Sequence, residues 1–318
     1  MSERISKKFG TIKIGITQGE LSGISPEIIS LALSKFDNDK TLELYVVASP
    51  QGIEMIKSFS KKQFAKHISF ISPEPNDVPE QITNSDVLSS IYFAAKLAKE
   101  KKLDAIVTGP VDKNKVANKY SGFSGHTGFL KQILRVENVL MLMSTPSLKI
   151  GIMTEHIPLS EVPENITKER IIEATKLFND YLGKTKIDPC IGILALNPHS
   201  GDSGLVGTEE QTIIIPAIKQ LMSNGINAIG PIPADSAFVP PIKNKCDGIL
   251  AMYHDQGMIP AKIRGYDNLV NITLGLPIIR TSPGHGVAYD IKETGIASPA
   301  SMIKAINTAV DMVLAERI

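Results

Sequence analysis

Three of the six histidines in the chain follow apolar stretches that are typical of buried strands. His156 follows "GIMTE", His199 follows "ILALNP" and His254 follows "LAMY". Imidazoles that converge from several strands are common ligands of a borderline-soft divalent metal ion, and they leave positions open for water or substrate. One histidine at a strand end is more often structural, but three at equivalent positions favour a metal site.

A second group of residues has the chemistry to bind an anion. "FSGHTGFLKQIL" places His126 and Thr127 just ahead of an apolar helical pattern, where backbone N–H groups favour phosphate. The alternative is a helix that is simply capped by Thr127. Lys262, Asn271 and Arg280 follow at regular intervals, and Arg280 comes after the apolar "LGLPII", where an unpaired guanidinium would be costly. The alternative here is a surface lysine and a structural arginine.

Short apolar runs alternate with helical patterns along most of the chain. Examples of the predicted strands are "TIKIGITQG", "DAIVTGPV", "CIGILALN" and "CDGILAMYH". This alternation predicts an α/β fold with a largely parallel sheet, in which ligands bind at the carboxyl ends of the strands. The stretch from Thr208 to Gln211 fits a capping box at the start of a helix. No G-x-G-x-x-G motif occurs, so a standard Rossmann site is not predicted.

The composition narrows the class of protein. The chain has 318 residues, of which 42% are hydrophobic and 21% charged, with a formal net charge of +1 and no tryptophan. Without a basic block or stacking aromatics, a nucleic-acid partner is not expected. No apolar run reaches membrane-spanning length, and the polar first ten residues do not resemble a signal peptide. Cys190 and Cys246 fit core thiols rather than a disulfide, which indicates a cytoplasmic protein.

The chain resembles the 4-hydroxythreonine-4-phosphate dehydrogenase family of vitamin B6 biosynthesis nearly from end to end. The motifs that carry the resemblance are, in order, "SGISPEI", "VTGPVDK", "GHTGF", "EHIPL", "LNPHSGDSG", "GPIPADSAF", "AMYHDQG" and "VNITLGLPIIRTS". The resemblance implies a two-lobed α/β fold of the isocitrate/isopropylmalate-dehydrogenase type, with a largely parallel sheet and an interlobe cleft. The first lobe would comprise residues 1–125 and 265–318 with the nucleotide loop, and the second residues 126–264 with the metal ligands.

The family also implies a homodimer with a shared active site. His156, His199 and His254 would hold one divalent ion, which is zinc, magnesium or cobalt, and one of the three ligands would come from the neighbouring subunit. Asp255 and Gln256, next to His254 in the sequence, would orient that ligand or its partner.

The residues that the resemblance assigns to a small phosphorylated hydroxy-acid substrate are His126, Thr127, Lys262, Asn271 and Arg280. Asp235, in "PADS", and Lys262 are the catalytic candidates, and no residue stands out as the only general base. The implied reaction is oxidation of 4-phosphohydroxy-L-threonine at its C3 hydroxyl by NAD, followed by decarboxylation to 3-amino-2-oxopropyl phosphate.

The loop "GHGVAYDIKETGIASP" resembles the adenosine-binding loop of isopropylmalate and isocitrate dehydrogenases. His285 and Gly286 would lie near adenine. Asp290 would accept hydrogen bonds from the ribose hydroxyls and so favour NAD over a 2′-phosphorylated cofactor.

The sequence departs from the family pattern at Gly128, Gly284 and Val287, where an acidic residue, an aspartate and a threonine are common. These departures leave a related substrate open, such as 4-phospho-threonate or 4-phospho-erythronate. A reaction of another class is a metal-dependent lyase or hydrolase that uses the same three histidines without nicotinamide.

Overall fold

A computed structural model describes residues 10–123, 125–240 and 242–318 of the chain. The chain divides into two units, one made of Met1–Val136 with Leu276–Ile318 and the other of Glu137–Gly275. The second unit is therefore one continuous stretch of chain, which follows the first part of the other unit and precedes its last part.

The first unit is built on a parallel sheet. Its strands are β1 Ile12–Thr17, β2 Leu42–Val47, β3 Ile68–Ile71, β4 Ala105–Thr108 and β11 Ile279–Pro283. They lie in the order β3-β2-β1-β4-β11, and all neighbouring pairs are parallel. Its helices are α1 Ser25–Leu33, α2 Pro50–Ser58, α3 Asp86–Lys99, α4 Lys113–Ala117, α5 His126–Leu134 and α10 Ala300–Arg317.

The second unit has a mixed sheet. Its strands are β5 Leu140–Ser144, β6 Lys149–Thr154, β7 Ile191–Leu194, β8 Ala228–Ile232, β9 Gly248–Tyr253 and β10 Val270–Leu274. They lie in the order β10-β5-β6-β9-β7-β8, with antiparallel pairs from β10 to β6 and parallel pairs from β6 to β8. Its helices are α6 Val162–Asn165, α7 Lys168–Gly183, α8 Ile215–Ser223 and α9 His254–Gly265. The predicted α/β fold with a largely parallel sheet is confirmed.

The unit boundaries fall about ten residues beyond those expected from the sequence. Phe129 and Leu130 of α5 are buried in the same apolar cluster as Ile91 of α3, so α5 belongs to the first unit although residue 126 was expected to open the second lobe. Burying each such side chain contributes about 2 kcal/mol. At the other boundary β10 pairs with β5, with Val270 opposite Ser144, which places residues 265–275 in the second unit.

The predicted capping box between Thr208 and Gln211 is wrong. A π-helical turn, Glu210–Ile214, leads into α8, and Glu209 at its N-cap position makes no side-chain cap. The carboxylates of Glu209 and Glu210 bond instead to Asn197, at distances of 2.7 and 3.0 Å from its Nδ2. The residue types are those of a capping box, but the carboxylates bond a residue that is distant in sequence and do not cap the helix.

The two cysteines are free thiols, and both are partly buried. Burial, reinforced by the neighbouring Cys190, raises the pKa of the Cys246 thiol to about 11, so this thiol is protonated at neutral pH. Among the described helices, none has the length and apolar character needed to cross a bilayer.

Replacing Gly248 by Ala is expected to lower the free energy of unfolding by about 1–3 kcal/mol, because overpacking a filled core forces neighbours to move. A Cβ at Gly248 would lie 2.8 and 2.9 Å from the Cε atoms of Phe178, which is fully buried. Chemical denaturation measures the change.

The control is Gly183→Ala at the end of α7, where no described atom lies within 4 Å of the added Cβ. This variant should match or slightly exceed the wild-type stability. Equal stability of the Gly248 variant and the wild type would contradict the packing described here.

Candidate functional site

Three neighbouring parallel strands of the second unit carry the histidines predicted to bind metal. β9 lies between β6 and β7, so the carboxyl ends of all three meet at one edge of the sheet. His156 follows β6, His254 follows β9 as the first residue of α9, and His199 follows β7. The sheet order therefore explains how histidines far apart in sequence reach the same edge.

His156 and His254 lie close together, with ring centroids 5.4 Å apart and ring planes tilted by 43°. The Asp255 carboxylate lies 2.6 Å from Nδ1 of His254, as expected for an orienting residue. This contact favours the tautomer with a proton on Nδ1, which leaves the lone pair of Nε2 for a ligand. Two neighbouring imidazoles, one oriented by a carboxylate, fit a borderline divalent ion.

Gln256, which was also expected to orient a ligand, bonds backbone groups and not an imidazole in the described part of the chain. Its Oε1 accepts a hydrogen bond from the Met252 amide and its Nε2 donates to the Ala195 carbonyl, both at 2.7 Å. Gln256 thereby connects the end of β9 to the end of β7, and so fixes the backbone that precedes His254 and His199.

His199 lies on a turn with unusual backbone angles. Its φ and ψ are 52° and 29°, and the left-handed conformation continues through Ser203. Within the ranges that the structure describes, no three His, Cys, Asp or Glu side chains are grouped closely enough to hold a metal ion. The described part of the chain therefore brings His156 and His254 together but does not add His199 to them.

The first unit places a buried cation at the carboxyl end of β4. Arg280, on β11, is only 2% exposed. Its Nε and Nη2 donate to Oγ1 of Thr108 at 3.1 and 2.7 Å. A buried guanidinium offers several fixed N–H donors and a positive charge, which is the chemistry that binds a phosphate or carboxylate group.

His126, the first residue of α5, stands beside this cation. Burial holds the pKa of its imidazole well below the usual value, and the charges of Arg280 and Lys113 lower it further. The Gly109 carbonyl accepts a hydrogen bond from the ring and partly opposes this shift. The side chain is therefore neutral at neutral pH. Its Nε2 is buried and has no partner among the described residues, although the residue as a whole is partly exposed.

Lys113 was given no role in the sequence analysis. A Cβ at Gly125 would lie 3.3 Å from Cε of Lys113, and Gly125 has a φ of 127°. Only glycine suits this backbone conformation and this close approach. In the sequence, Gly125 directly before His126 could have indicated that another side chain, here that of Lys113, packs closely against the backbone at this point.

The predicted cofactor loop follows β11. Nδ1 of His285 lies 3.0 Å from the Gly286 carbonyl oxygen, and Nε2 is buried without a partner among the described residues. Burial lowers the pKa of His285, so its ring is neutral at neutral pH. The carboxylate-bearing Asp290 is exposed. The Val287 carbonyl accepts from the Ile24 amide at 3.0 Å, which ties the loop to the start of α1.

A polar network that the sequence analysis missed also holds this loop. The Tyr289 hydroxyl donates to Asp112 at 2.5 Å, and the Lys115 ammonium lies 4.9 Å from the Tyr289 ring centroid. Lys115 also lies 3.5 Å from Glu20 and donates to Ser22 at 2.5 Å. Nothing in the local sequence pattern connects these residues, because their contacts span up to 177 positions.

The remaining predicted residues lie in the second unit. Asn271 is on β10, and its Oδ1 is buried with no partner in the described part of the chain. Lys262, on α9, and Asp235, in the turn after β8, are exposed. One buried polar atom without a described partner therefore occurs in each of His126, Asn271 and His285. Burying such an atom without a hydrogen bond costs free energy, unless a ligand or a water molecule supplies the bond.

Comparison with known proteins gives a consistent result. Residues 28–309 match the family model of the pyridoxal phosphate biosynthetic protein PdxA. A 4-hydroxythreonine-4-phosphate dehydrogenase from Sulfurihydrogenibium sp. (strain YO3AOP1) is 38% identical, over 94% of this chain and 98% of the relative. A putative D-threonate 4-phosphate dehydrogenase from Oceanobacillus iheyensis is 36% identical, over 94% and 97%.

Solved structures agree with these sequence matches. The 4-hydroxythreonine-4-phosphate dehydrogenase of Klebsiella pneumoniae superposes with a TM-score of 0.79 and 29% identity, covering 95% of this chain and all of the other. Isocitrate dehydrogenase from Methylococcus capsulatus, at 13% identity, shares the fold with a TM-score of 0.52, covering 96% of this chain and 88% of that one. The chain therefore belongs to the family of the pyridoxal phosphate biosynthetic protein PdxA.

Proposed function

We propose that this protein is a metal-assisted, NAD-dependent dehydrogenase of 4-phosphohydroxy-L-threonine. It would oxidise the C3 hydroxyl, and loss of carbon dioxide would give 3-amino-2-oxopropyl phosphate. The observation that carries this proposal is the match, over nearly the whole chain, to relatives named 4-hydroxythreonine-4-phosphate dehydrogenase. The reaction class agrees with the chemistry of the residues placed at the strand ends.

His156, His199 and His254 would hold one divalent ion, which is zinc, magnesium or cobalt. The adjacency of β6, β9 and β7 and the close pair of imidazoles support this set. Because the described protomer does not group all three, one ligand would come from the partner in a homodimer. An exposed apolar face on and just after α9, formed by Ile259, Ile263 and Tyr266, supports such an assembly.

When bound, the ion supplies Lewis-acid polarisation of a substrate oxygen and NAD supplies the hydride acceptor. Arg280 would bind the phosphate, with Thr127 and the helix N-terminus donating to its oxygens. Neutral His126 can accept a hydrogen bond or a proton at Nε2. Lys262 and Asn271 would complete the contacts to substrate.

Asp235 and Lys262 are the proposed proton-transfer residues. An exposed carboxylate and an exposed ammonium can exchange protons with solvent, and the Asp235 carboxylate can also pair with the substrate amine. His285, Gly286 and Asp290 would bind NAD. The buried, unpartnered Nε2 of His285 supports this assignment, and the negative charge of Asp290 would repel a 2′-phosphate.

A second candidate substrate is 4-phospho-threonate, or its isomer 4-phospho-erythronate. The 36% identical relative named putative D-threonate 4-phosphate dehydrogenase supports this alternative. These sugar acids share the phosphate, the hydroxyl and the carboxylate, so the residues proposed for those groups would serve either substrate. Of the three departures from the family pattern, Gly128 lies in the first turn of α5. Gly284 and Val287 lie in the proposed cofactor loop after β11.

Kinetics on the purified full chain decide between these functions. Absorbance at 340 nm is followed with NAD, a divalent metal and each of the phosphorylated acids. We expect reduction of NAD with a preference for 4-phosphohydroxy-L-threonine. A preference above about tenfold for a sugar acid would overturn the vitamin B6 assignment. Product formation without a change in absorbance would favour a lyase or hydrolase.

Replacing His199 by Ala is expected to remove most of the bound metal and most of the activity, since an imidazole ligand is lost while the core is unchanged. Metal content after dialysis and circular dichroism measure the two effects. The control is His67→Ala, whose imidazole lies 2.9 Å from the Phe36 carbonyl in the first unit. Wild-type metal content in the His199 variant would argue against the proposed site.

Mixing alanine variants tests whether the site is shared between subunits. If one histidine comes from the partner, its variant mixed with a variant of either other histidine recovers about a quarter of the wild-type activity, because half of the dimers are mixed and each has one complete site. No recovery in any of the three pairings would show that each protomer supplies its own ligands.

Replacing Arg280 by Lys is expected to raise the KM for the phosphorylated substrate by about tenfold or more, because an ammonium cannot retain the Thr108 bonds and a two-point anion contact. The matched control is Arg317→Lys, whose guanidinium lies 2.6 Å from Asp104 near the amino end of β4. An unaltered KM for the Arg280 variant would show that Arg280 is structural.

A further inference from the structure

The turn that carries His199 has a backbone conformation that L-amino acids rarely adopt over several residues. From His199 to Ser203 the φ angles lie between 42° and 78°, and Gly204 continues at 99°. Four of these six residues are not glycine, so Cβ is crowded against the following carbonyl at each of them. Such a turn persists only if contacts outside it hold it in place.

Glu210 supplies the main contact at the entrance of the turn. It is 1% exposed, and it is the first residue of the π-helical turn. Its Oε1 accepts from the amides of Leu196 and Asn197 at 2.8 and 2.7 Å, and its Oε2 accepts from Nδ2 of Asn197 at 3.0 Å. One carboxylate thus fixes the two residues that leave β7 just before His199.

The same carboxylate also lies directly against the turn. A Cβ at Gly201 would be 2.7 Å from Oε2 of Glu210. Across the turn the Gly201 carbonyl accepts from the Val206 amide at 3.0 Å, and Oγ of Ser200 donates to the Pro231 carbonyl at 3.2 Å. Glu210 therefore contacts both the entrance and the middle of the segment.

We propose that Glu210 is a positioning residue for His199. It touches neither the substrate nor the metal, but it holds the left-handed turn in the one conformation that aims the His199 imidazole. The π-helical turn is part of this device, because the extra residue in a π-helical turn shifts the register of the side chains that follow. The inference rests on the proposed metal site and adds to it a residue that the ligand motif does not contain.

The test is the affinity of the full chain for Co²⁺, measured by titration with the visible spectrum of the ion as a second readout. In Glu210→Gln, the amide nitrogen of Gln would face the donor group of Asn197, so the turn loses one anchor. We expect the dissociation constant for Co²⁺ to rise about tenfold or more and the spectrum to change. The control is Glu209→Gln, which should bind Co²⁺ like the wild type. Its bonds to Nδ2 of Asn197 and to the Thr208 amide both use one oxygen, Oε2, which the amide oxygen of Gln can replace, whereas Glu210 uses both of its oxygens.

A pair of glycine variants keeps the test valid if the Glu210 variant does not fold. Gly201→Ala and Gly225→Ala introduce a Cβ at the same φ of 78°, but only Gly201 has Glu210 beside it, while no described atom lies within 4 Å of a Cβ at Gly225. Both cost backbone strain, so a difference in Co²⁺ affinity reports the crowding of the turn at Gly201, where the added Cβ would lie 2.7 Å from Glu210 and 3.2 Å from the Gly207 carbonyl oxygen. We expect weaker binding for the Gly201 variant alone.

The outcomes separate the inference from the proposed function. If His199→Ala keeps its metal, the proposed metal site fails. If His199→Ala loses the metal while the folded Glu210 and Gly201 variants bind Co²⁺ with wild-type affinity and spectrum, the positioning role of Glu210 is overturned.

Discussion

The proposed metal chemistry depends on one constraint, which is the parallel pairing of β6, β9 and β7. Parallel strands direct their carboxyl ends to the same edge, so any side chain that follows them is delivered there. Gln256 strengthens this arrangement, because it bonds β9 to the Ala195 carbonyl beyond β7. The approach of the His254 ring to the His156 ring follows from this backbone, and not from any local metal-binding motif.

The sequence was informative where a feature depends on local periodicity or on the cost of burying a charge. Alternating patterns predicted the α/β sheet, and the apolar run before Arg280 indicated a buried guanidinium that the structure confirms as such. Features that depend on contacts across the fold were missed. The stretch from Thr208 to Gln211 fitted a helix cap locally, yet the Glu210 carboxylate within it bonds amides that lie 13 and 14 positions earlier. The boundary expected at residue 125 lies before α5, whereas α5 packs in one apolar cluster with Ile91, which comes much earlier in the chain.

In the first unit, two cations affect the protonation of a neighbouring buried imidazole. Arg280 holds a positive charge under the surface, and the neighbouring cation Lys113 adds to the field. His126 responds by staying neutral, since a third positive charge there would be repelled and poorly solvated. A phosphate dianion bound beside His126 would raise the pKa of its imidazole, because a negative charge favours the protonated ring. The low pKa of His126 thus follows from its burial and from the charges of Arg280 and Lys113.

The placement of β11 has a consequence for how the molecule is made. β11 and α10 lie C-terminal to the whole of the second unit, yet β11 pairs with β4, whose residues leave the ribosome about 170 positions earlier. Long sequence separation makes such a pairing slow to form. All strands of the second unit are therefore synthesised before β11. Until β11 is synthesised, one edge of β4 has no partner strand from the first unit. The Arg280 guanidinium can bond Thr108 only after β11 has been synthesised, so a chain that ends before β11 lacks the residue proposed to bind the phosphate.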